Sequence, residues 1–547
     1  VYLRKVQRKN KDGTAVIYYQ LAHNERHPQT RTPVARIIHS FGRADEIDKD
    51  ELIRLCKSIA RVCNIDIIDS QQDSEAPVKS PQKTTLDKIK LIKTREAGAV
   101  AVIEAFWQRL GMSSIVHQLM GDNKLHERAL LAMTANRLSG HEPYAGTWRR
   151  WLNQVYLPSC HDVSQKHMLE VLDLFQSTPS SIDKKIFFHA ARCLNLDTDL
   201  IFYSIAKTSL IIDYEDDEKH FFPARSNKSK ESLPVIIALA VTKQGFPVCS
   251  WLFPDSFSQE DVTKQVRADL SDWNLCHTLF VTYEENLPLK NKYLRQISMD
   301  FLPDTIRELL IKRGRYKIIK DTIHAKEVTA GKEEDQKRYH LWYDHKEAEK
   351  QQRRRAQCIK SLEDEIARHR DQKSSASWTQ QFFLSQGYEP YVKITDDNEL
   401  SINYPAIKQA EQNDGKWVFE TDDDTLDTED AVWGHKALVI IENFFSTLEI
   451  TPIKQTTEFY WSPHRIKAYV KICALALLIK RAIEQSSHQS WSYLQNCLST
   501  LTYSEFHTDE HIFFKRNEVT ESVKEIFKSF DIKIPDKVYI ESLEKIL

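Results

Sequence analysis

The sequence predicts an α/β protein, a mixed sheet flanked by helices and preceded by a small N-terminal β-hairpin sheet. Three observations predict it. Residues 2–8 (YLRKVQR) and 15–21 (AVIYYQL) are β-rich runs on either side of Lys9-Asn10-Lys11-Asp12-Gly13. Asp-Gly favours a hairpin because both residues tolerate positive φ. Residues 233–241 (LPVIIALAV) form an almost unbroken apolar run, as expected of a strand covered on both faces. From Leu200 onward, strand, hairpin, helix and strand patterns follow one another, the pattern of an α/β core.

Each element can be justified in turn. A third β-rich run, 34–39 (VARIIH), ends at Phe41-Gly42 and completes a three-stranded unit. Residues 1–43 hold nine Lys and Arg against two acids. Such a surface is either a solvated edge whose cations suppress aggregation or a phosphate footprint, and both readings stay open. A helix is expected over about 49–62. Residues 70–86 (SQQDSEAPVKSPQKTTL) are polar with two prolines and read as a linker. Residues 96–178 are helical in pattern and include YAGTWRRW at 144–151. Its aromatics read as core residues, with DNA contact as the alternative.

Leu200-Ile201-Phe202-Tyr203 opens a strand. After 233–241, Lys243-Gln244-Gly245 makes a turn and 246–253 (FPVCSWLF) returns. A helix over 258–271 leads to a strand at 278–281. Residues 345–370 form a long charged helix with Ile359, Leu362 and Ile366 at helical spacing. Its Arg353-Arg354-Arg355 reads as a solvated face, with a DNA grip as the alternative. The acidic run 421–430 (TDDDTLDTED) lacks the glycine and spaced bidentate Glu of a calcium loop, so it reads as a loop and helix cap. Helices are expected over 430–447 and 463–484. The resulting division is 1–69 (basic β-sheet plus helix), 70–86 (linker), 87–195 (helical), 196–300 (first part of the core), 301–420 (insertion with the charged helix and strands), 421–490 (core helices) and 491–547 (helical tail).

Composition narrows the function classes. A chain of 547 residues has room for three or four domains at ~150 residues each. It is 41% hydrophobic and 28% charged, as a soluble globular protein would be. A net charge of −2 excludes a global basic field, so any nucleic-acid partner must be met by local charge. The nine cysteines contain no C-x-x-C pair, which favours free thiols in a reducing compartment. The first residues, VYLRKVQRKNKDG, have no apolar core, so no signal peptide is expected. Ile472–Ile479 is apolar but bounded by Lys471 and Lys480, too short to span a bilayer. The expectation is a cytoplasmic, nucleoid-associated protein with no membrane partner.

Four segments in a fixed order carry a family resemblance: YLRKVQRKNKDG with YYQL and SFGRADEID, then LPVIIALAVTKQGFPV, then DGKWVFETDDDTL, then HKALVIIENFF with HRIKAYVKICALALLIKRAIE. Together they resemble bacterial insertion-sequence DDE transposases. The similar branch carries its third catalytic acid in a Tyr-x2-Arg-x3-Glu-x6-Lys helix motif. The resemblance implies a ribonuclease-H-like core with helical DNA-binding regions. It also implies DNA cleavage and joining by two metal ions, Mg²⁺ or Mn²⁺, held by converging carboxylates.

The family pattern can be placed residue by residue. The first Asp, expected after an apolar Phe-Tyr pair, falls on Ser204. The second, expected after Phe280-Val281-Thr282, falls on Tyr283. The Glu falls on Glu442, while His435, Leu438 and Glu449 stand at the Tyr, Arg and Lys positions. Neutral hydroxyls do not replace anionic ligands for a hard cation, so the resemblance implies an impaired centre with no metal site at these residues. Relocated acids are the alternative: Asp213, Asp216 and Asp217, or Glu284 and Glu285. Glu284 is one residue out of phase, which points it to the opposite face of a strand. Glu285 requires the strand to continue, and Asp213 requires a hairpin to bring it back.

The implied partners are duplex DNA at transposon ends and a second copy of the chain. Arg4, Lys5, Arg8, Lys9 and Lys11 are the candidate DNA contacts, with Lys312, Arg313 and Arg315 as a second basic patch. His464-Arg465 matches a recurrent family dipeptide and receives no role. Three functions follow: a DNA-binding transposase homologue with an impaired centre, an active metal-dependent transposase with relocated carboxylates, or a domesticated protein-interaction scaffold.

Overall fold

The computed structural model describes residues 2–9, 15–26, 33–43, 89–139, 150–177, 181–210, 212–213, 233–284, 292–299, 302–311, 316–320, 323–330, 337–372, 391–394, 400–450, 453–454, 463–508 and 511–542. The chain divides into two units, residues 1–84 and 85–547. In the first, β1 (Tyr2–Lys9), β2 (Ala15–Arg26) and β3 (Pro33–Arg43) form an antiparallel sheet in that order. Lys9 pairs with Ala15 at the end of the β1–β2 ladder, so the two strands pair as the sequence predicts, and the Asp-Gly pair between them lies outside the described residues. The expected helix at 49–62 and linker at 70–86 lie outside the described residues.

The second unit opens with β4 (Lys90–Glu96), followed by helices α1 (Gly98–Arg109), α2 (Met112–Met120), α3 (Lys124–Ser139), α4 (Gln165–Ser177) and α5 (Ser181–Leu194). A nine-stranded sheet then dominates. Its first members are β5 (Ile201–Leu210), β7 (Leu233–Thr242) and β8 (Pro247–Pro254), with β6 (Ile212–Asp213) lying outside it. Gly245 supplies the positive φ (77°) of the β7–β8 turn. After α6 (Gln259–Asp272) come β9 (Thr278–Thr282) and β10 (Tyr293–Gln296). The Ser258 hydroxyl accepts the Asp261 N–H at the start of α6, an N-cap in the usual sense.

Across the sheet these five strands run β8-β7-β5-β9-β10. β7 is antiparallel to β5 and to β8, whereas β9 is parallel to both β5 and β10. The insertion continues this sheet. After α7 (Asp304–Ile311) it supplies β11 (Lys317–Lys320), β12 (Ile323–Ala330), β13 (Lys337–Asp344) and the long α8 (His345–Gln372). A small hairpin, β14 (Val392–Ile394) and β15 (Leu400–Ile402), precedes α9 (Tyr404–Asn413) and β16 (Lys416–Thr421). β16 pairs with β10 and β13, so the order ends β10-β16-β13-β12-β11. The Arg triplet on α8 is split. Arg353 and Arg354 are exposed, but Arg355 is buried against Asp414 with a 2.7 Å hydrogen bond, so a wholly solvated face is incorrect.

Helix α10 (Thr428–Ile450) crosses the sheet, followed by β17 (Ile453–Lys454) and α11 (Pro463–Ser487). Phe202, Leu239, Leu279, Val281 and Leu294 share one core with α10 and α11, while Tyr203, Ile205 and Phe280 pack on the other face with Val262 and Val266 of α6. Gly434 sets how deep α10 lies. A Cβ there would sit 2.4 Å from Leu294 Cδ2 and 3.1 Å from the Phe202 ring. Residues 491–547, expected as a helical tail, hold α12 (Trp491–Leu498) and α13 (Glu521–Ser529) but also β18 (Thr502–His507), β19 (His511–Arg516) and β20 (Val538–Ser542). These strands join β4 in a second sheet, β20-β19-β18-β4. Only β18 pairs with the distant β4, about 400 residues earlier in the chain; β18–β19 and β19–β20 are local antiparallel pairs. Cysteines among the described residues are free thiols. No helix among the described residues is long and apolar enough to cross a membrane.

Candidate active site

Strand alternation decides what faces α10. Phe202 and Ala206 of β5 pack into the core on the α10 side, so Ser204 between them faces the same way. Ser204 is buried at 2% exposure and pairs across to Leu239 of β7. On β9, Leu279 and Val281 face α10, and Tyr283 just past the strand continues that phase. In the parallel β5–β9 ladder Tyr203 is level with Phe280. Tyr283 therefore stands two residues further along than Ser204, roughly 7 Å at strand spacing.

Glu442 approaches from α10 and is half-buried. It lies close enough to Tyr283 for its charge to act on the phenol. Burial first, and then the Glu442 charge, push the Tyr283 phenol up to about 12. Tyr283 is thus a neutral hydroxyl near neutral pH, neither an anionic metal ligand nor an activated nucleophile. The three positions taken from the family pattern share one face of the sheet, with one carboxylate among them.

The other helix-motif positions serve packing. His435 is buried in an aromatic box, with ring centroids 4.9 Å from Trp342, 5.3 Å from Trp417 and 5.3 Å from Phe419. Burial pushes its imidazole down to about 3. Leu438 is fully buried core. The Glu449 side chain lies outside the described residues.

The candidate substitute acids divide similarly. Glu284 is exposed, and its N–H donates to the Thr282 hydroxyl at 3.0 Å. Its phase is the opposite of Tyr283. Asp213 does not return to Ser204 by a hairpin. β5 runs on to Leu210, paired throughout with β7, and β6 pairs in parallel with β17, Asp213 opposite Lys454. Asp216, Asp217 and Glu285 lie outside the described residues. Among the described residues no three His, Cys, Asp or Glu side chains converge as a metal site would require. One Glu, a buried serine hydroxyl and a protonated phenol do not fit a two-metal centre, which needs several anionic oxygens.

Sequence reasoning missed a different acidic cluster on the far face of the sheet. Glu420 of β16 is 3% exposed. It accepts hydrogen bonds from Tyr293 Oη at 2.7 Å, Arg295 Nη2 at 2.6 Å and Lys337 Nζ at 3.1 Å. Burial alone would raise its carboxyl, but the Tyr293 hydrogen bond and the Arg295 and Lys337 charges outweigh it and hold the pKa below its usual value. Lys292 binds buried Asp423 at 2.7 Å, and Asp422 Oδ1 accepts the Tyr293 N–H at 2.9 Å. Asp427 caps α10 by accepting the Asp430 N–H at 2.7 Å. Only the capping role had a sequence signal, an Asp three residues before another acid at a helix start.

The basic candidates are less fully described. Arg4, Lys5, Arg8 and Lys9 lie on β1, opposite Gln20, Tyr19, Val16 and Ala15. Lys11, Lys312, Arg313 and Arg315 lie outside the described residues. Arg465 makes two 2.7 Å hydrogen bonds to Asp173, which tie α11 to α4. His464 beside it is half-buried.

Residues 3–73 match the N-terminal domain of IS1634 family transposases. That match supports an insertion-sequence transposase. No curated protein matches the chain.

Proposed function

We propose that the chain is a DNA-binding transposase homologue of the DDE type, with a ribonuclease-H-like core and an impaired catalytic centre. The observation that carries this reading is the shared face of Ser204, Tyr283 and Glu442. A first core strand, a later parallel strand and a C-terminal helix are the three elements on which such a core mounts its metal-binding acids. Here those elements are β5, β9 and α10, and two of the three acids are replaced. The chain order of the strands, third-second-first-fourth-fifth with only the second reversed, also supports this fold. The N-terminal family match supports the transposase function.

The test uses the full chain with labelled duplexes carrying candidate element ends, in Mg²⁺ and in Mn²⁺. Salt-sensitive binding without strand cleavage is the expected result. Cleavage abolished by Glu442→Ala would overturn the impaired centre and assign catalysis to relocated carboxylates. Absence of any salt-sensitive duplex binding would overturn the DNA-binding reading in favour of a protein scaffold.

A further inference from the structure

On the flank of α10 away from Glu442, a cavity of about 310 Å³ opens between the end of α3, α10 and α11. That size lies at the lower end of ligand pockets, roughly 300–1,000 Å³. Its floor is apolar, with Ile440 and Phe444 of α10. Its polar lining is strongly one-sided: Arg137, Lys480 and Arg481 face a single acid, Glu484. That acid is already committed. Glu484 accepts from Arg481 Nη1 at 2.8 Å and from the Trp491 N–H at 3.0 Å.

The cations are not all used in the same way. Arg137 donates to the Thr447 carbonyl at 2.9 Å, which fixes its guanidinium against α10. Arg481 is held by Glu484 and by the Gln244 carbonyl at 2.8 Å, yet its Nε is buried without an acceptor. Lys480 is half-buried and has no acid or acceptor among the described residues. Lys480 thus sits at this small cavity without a counter-ion among the described residues, beside the ion-paired Arg481, whose Nε has no acceptor. Burying an unpaired donor or charge costs free energy that an anionic ligand would recover. Asn443 adds a neutral amide on the same wall.

We infer that this cavity is an anion pocket that takes a phosphate group. Resting on the DNA-binding reading above, its natural occupant is a backbone phosphate of duplex DNA, with Lys480 as the point charge that meets it and Arg137 and Arg481 as flanking positive charge on the cavity wall. Lys480 is then a positioning contact independent of sequence, because phosphate contacts fix register and carry no base information.

The test pairs two probes with the full-length chain: inorganic phosphate, followed by ³¹P line broadening, and a labelled duplex of arbitrary sequence titrated at several salt concentrations. Lys480→Gln removes a charge that holds no structural partner among the described residues. Lys524→Gln, an exposed lysine paired with Glu521 elsewhere in the unit, is the control. The expected result is loss of phosphate broadening in Lys480→Gln, several-fold weaker duplex binding, and a salt slope shallower by about 0.9, the value for one lost phosphate contact. The control changes none of these. Unchanged broadening and slope in Lys480→Gln would overturn the pocket while leaving the DNA-binding reading intact. Lys480-dependent phosphate binding in a chain that binds no duplex would keep the pocket and remove DNA as its occupant. No phosphate or duplex binding by the unaltered chain would overturn the pocket outright.

Discussion

Two groups of residues on opposite faces of the large sheet differ in how their acids are met. On the α10 face, the three positions taken from the family pattern, Ser204, Tyr283 and Glu442, hold a single anion. On the far face, Glu420 is buried but met by three donors, and Asp423 is met by Lys292. The chain is rich in acids around this sheet, yet those on the far face are neutralised within the fold. What separates a metal site from a structural ion cluster is the balance of charge. Several acids with no cations leave negative charge for a metal to offset, whereas one acid with three donors leaves none.

The largest expected effect breaks the satisfied side. Glu420→Ala leaves Arg295 and the Tyr293 hydroxyl without their shared acceptor. Removing one member of a buried ion pair costs about 3 kcal/mol or more, and denaturant unfolding of the second unit should show a loss of that size. Glu420→Gln keeps an acceptor for Tyr293 and should lose less. Equal losses in both variants would mean that the charge contributes little.

A smaller effect follows from the histidines packed near this sheet. His340 is 1% exposed on β13, and burial pushes it down to about 4, while His435 on the buried side of α10 is pushed down to about 3. Both ordinarily titrate near 6.5. Below that pH the unfolded chain takes up protons that the folded chain refuses, so stability falls as pH drops. The fall continues to about pH 4 for His340 and about pH 3 for His435, and above pH 7 neither contributes a slope. Each should add about 1.4 kcal/mol per pH unit within its window. Urea unfolding between pH 6 and 4.5 should therefore lose about one such slope in His435→Phe. An unchanged slope would show that the aromatic box opens to water.

Much of this contrast was legible in the sequence, and the reasons differ by element. β5, β7, β8 and β9 announced themselves as apolar runs, and alternation alone puts Ser204 and Tyr283 in phase with core residues. The buried α10 and α11 were legible as apolar helical segments. β10 was not, because Tyr293–Gln296 is four residues long and half polar. In the second sheet only the β4–β18 pairing was hidden by sequence distance, whereas β18 and β19, three residues apart in the chain, form a local hairpin that the sequence reading missed. Arg355 and Glu420 were hidden for another reason. A charged residue in a polar stretch reads as solvated until its partners, Asp414 in one case and Arg295 and Lys337 in the other, are brought in by tertiary structure. The same holds for His435, whose neighbours come from β13 and β16.

Gly434→Ala tests the seat of α10 itself. Overpacking against Leu294 and Phe202 costs about 1–3 kcal/mol, while alanine regains about 1 kcal/mol of helix propensity over glycine. A net loss of about 1 kcal/mol is expected by urea unfolding. A net gain would mean that the Leu294 side chain yields freely and that α10 is not set by this contact.

The smallest expected effect lies at the three family positions. With one carboxylate there, Mg²⁺ should change the stability of the unaltered chain by less than about 0.5 kcal/mol, since only a ligand bound to the folded state stabilises it. The Ser204→Asp/Tyr283→Asp double variant places two acids on the same face as Glu442. If these side chains converge, Mg²⁺ at ten times its dissociation constant should stabilise that variant by about 1.4 kcal/mol. Thermal unfolding with and without Mg²⁺ reads both chains at once. Mg²⁺ stabilisation of the unaltered chain, abolished by Glu442→Gln, would mean that an acid beyond the described residues completes the site. A null response in the double variant would mean that β5, β9 and α10 share a face without sharing a focus.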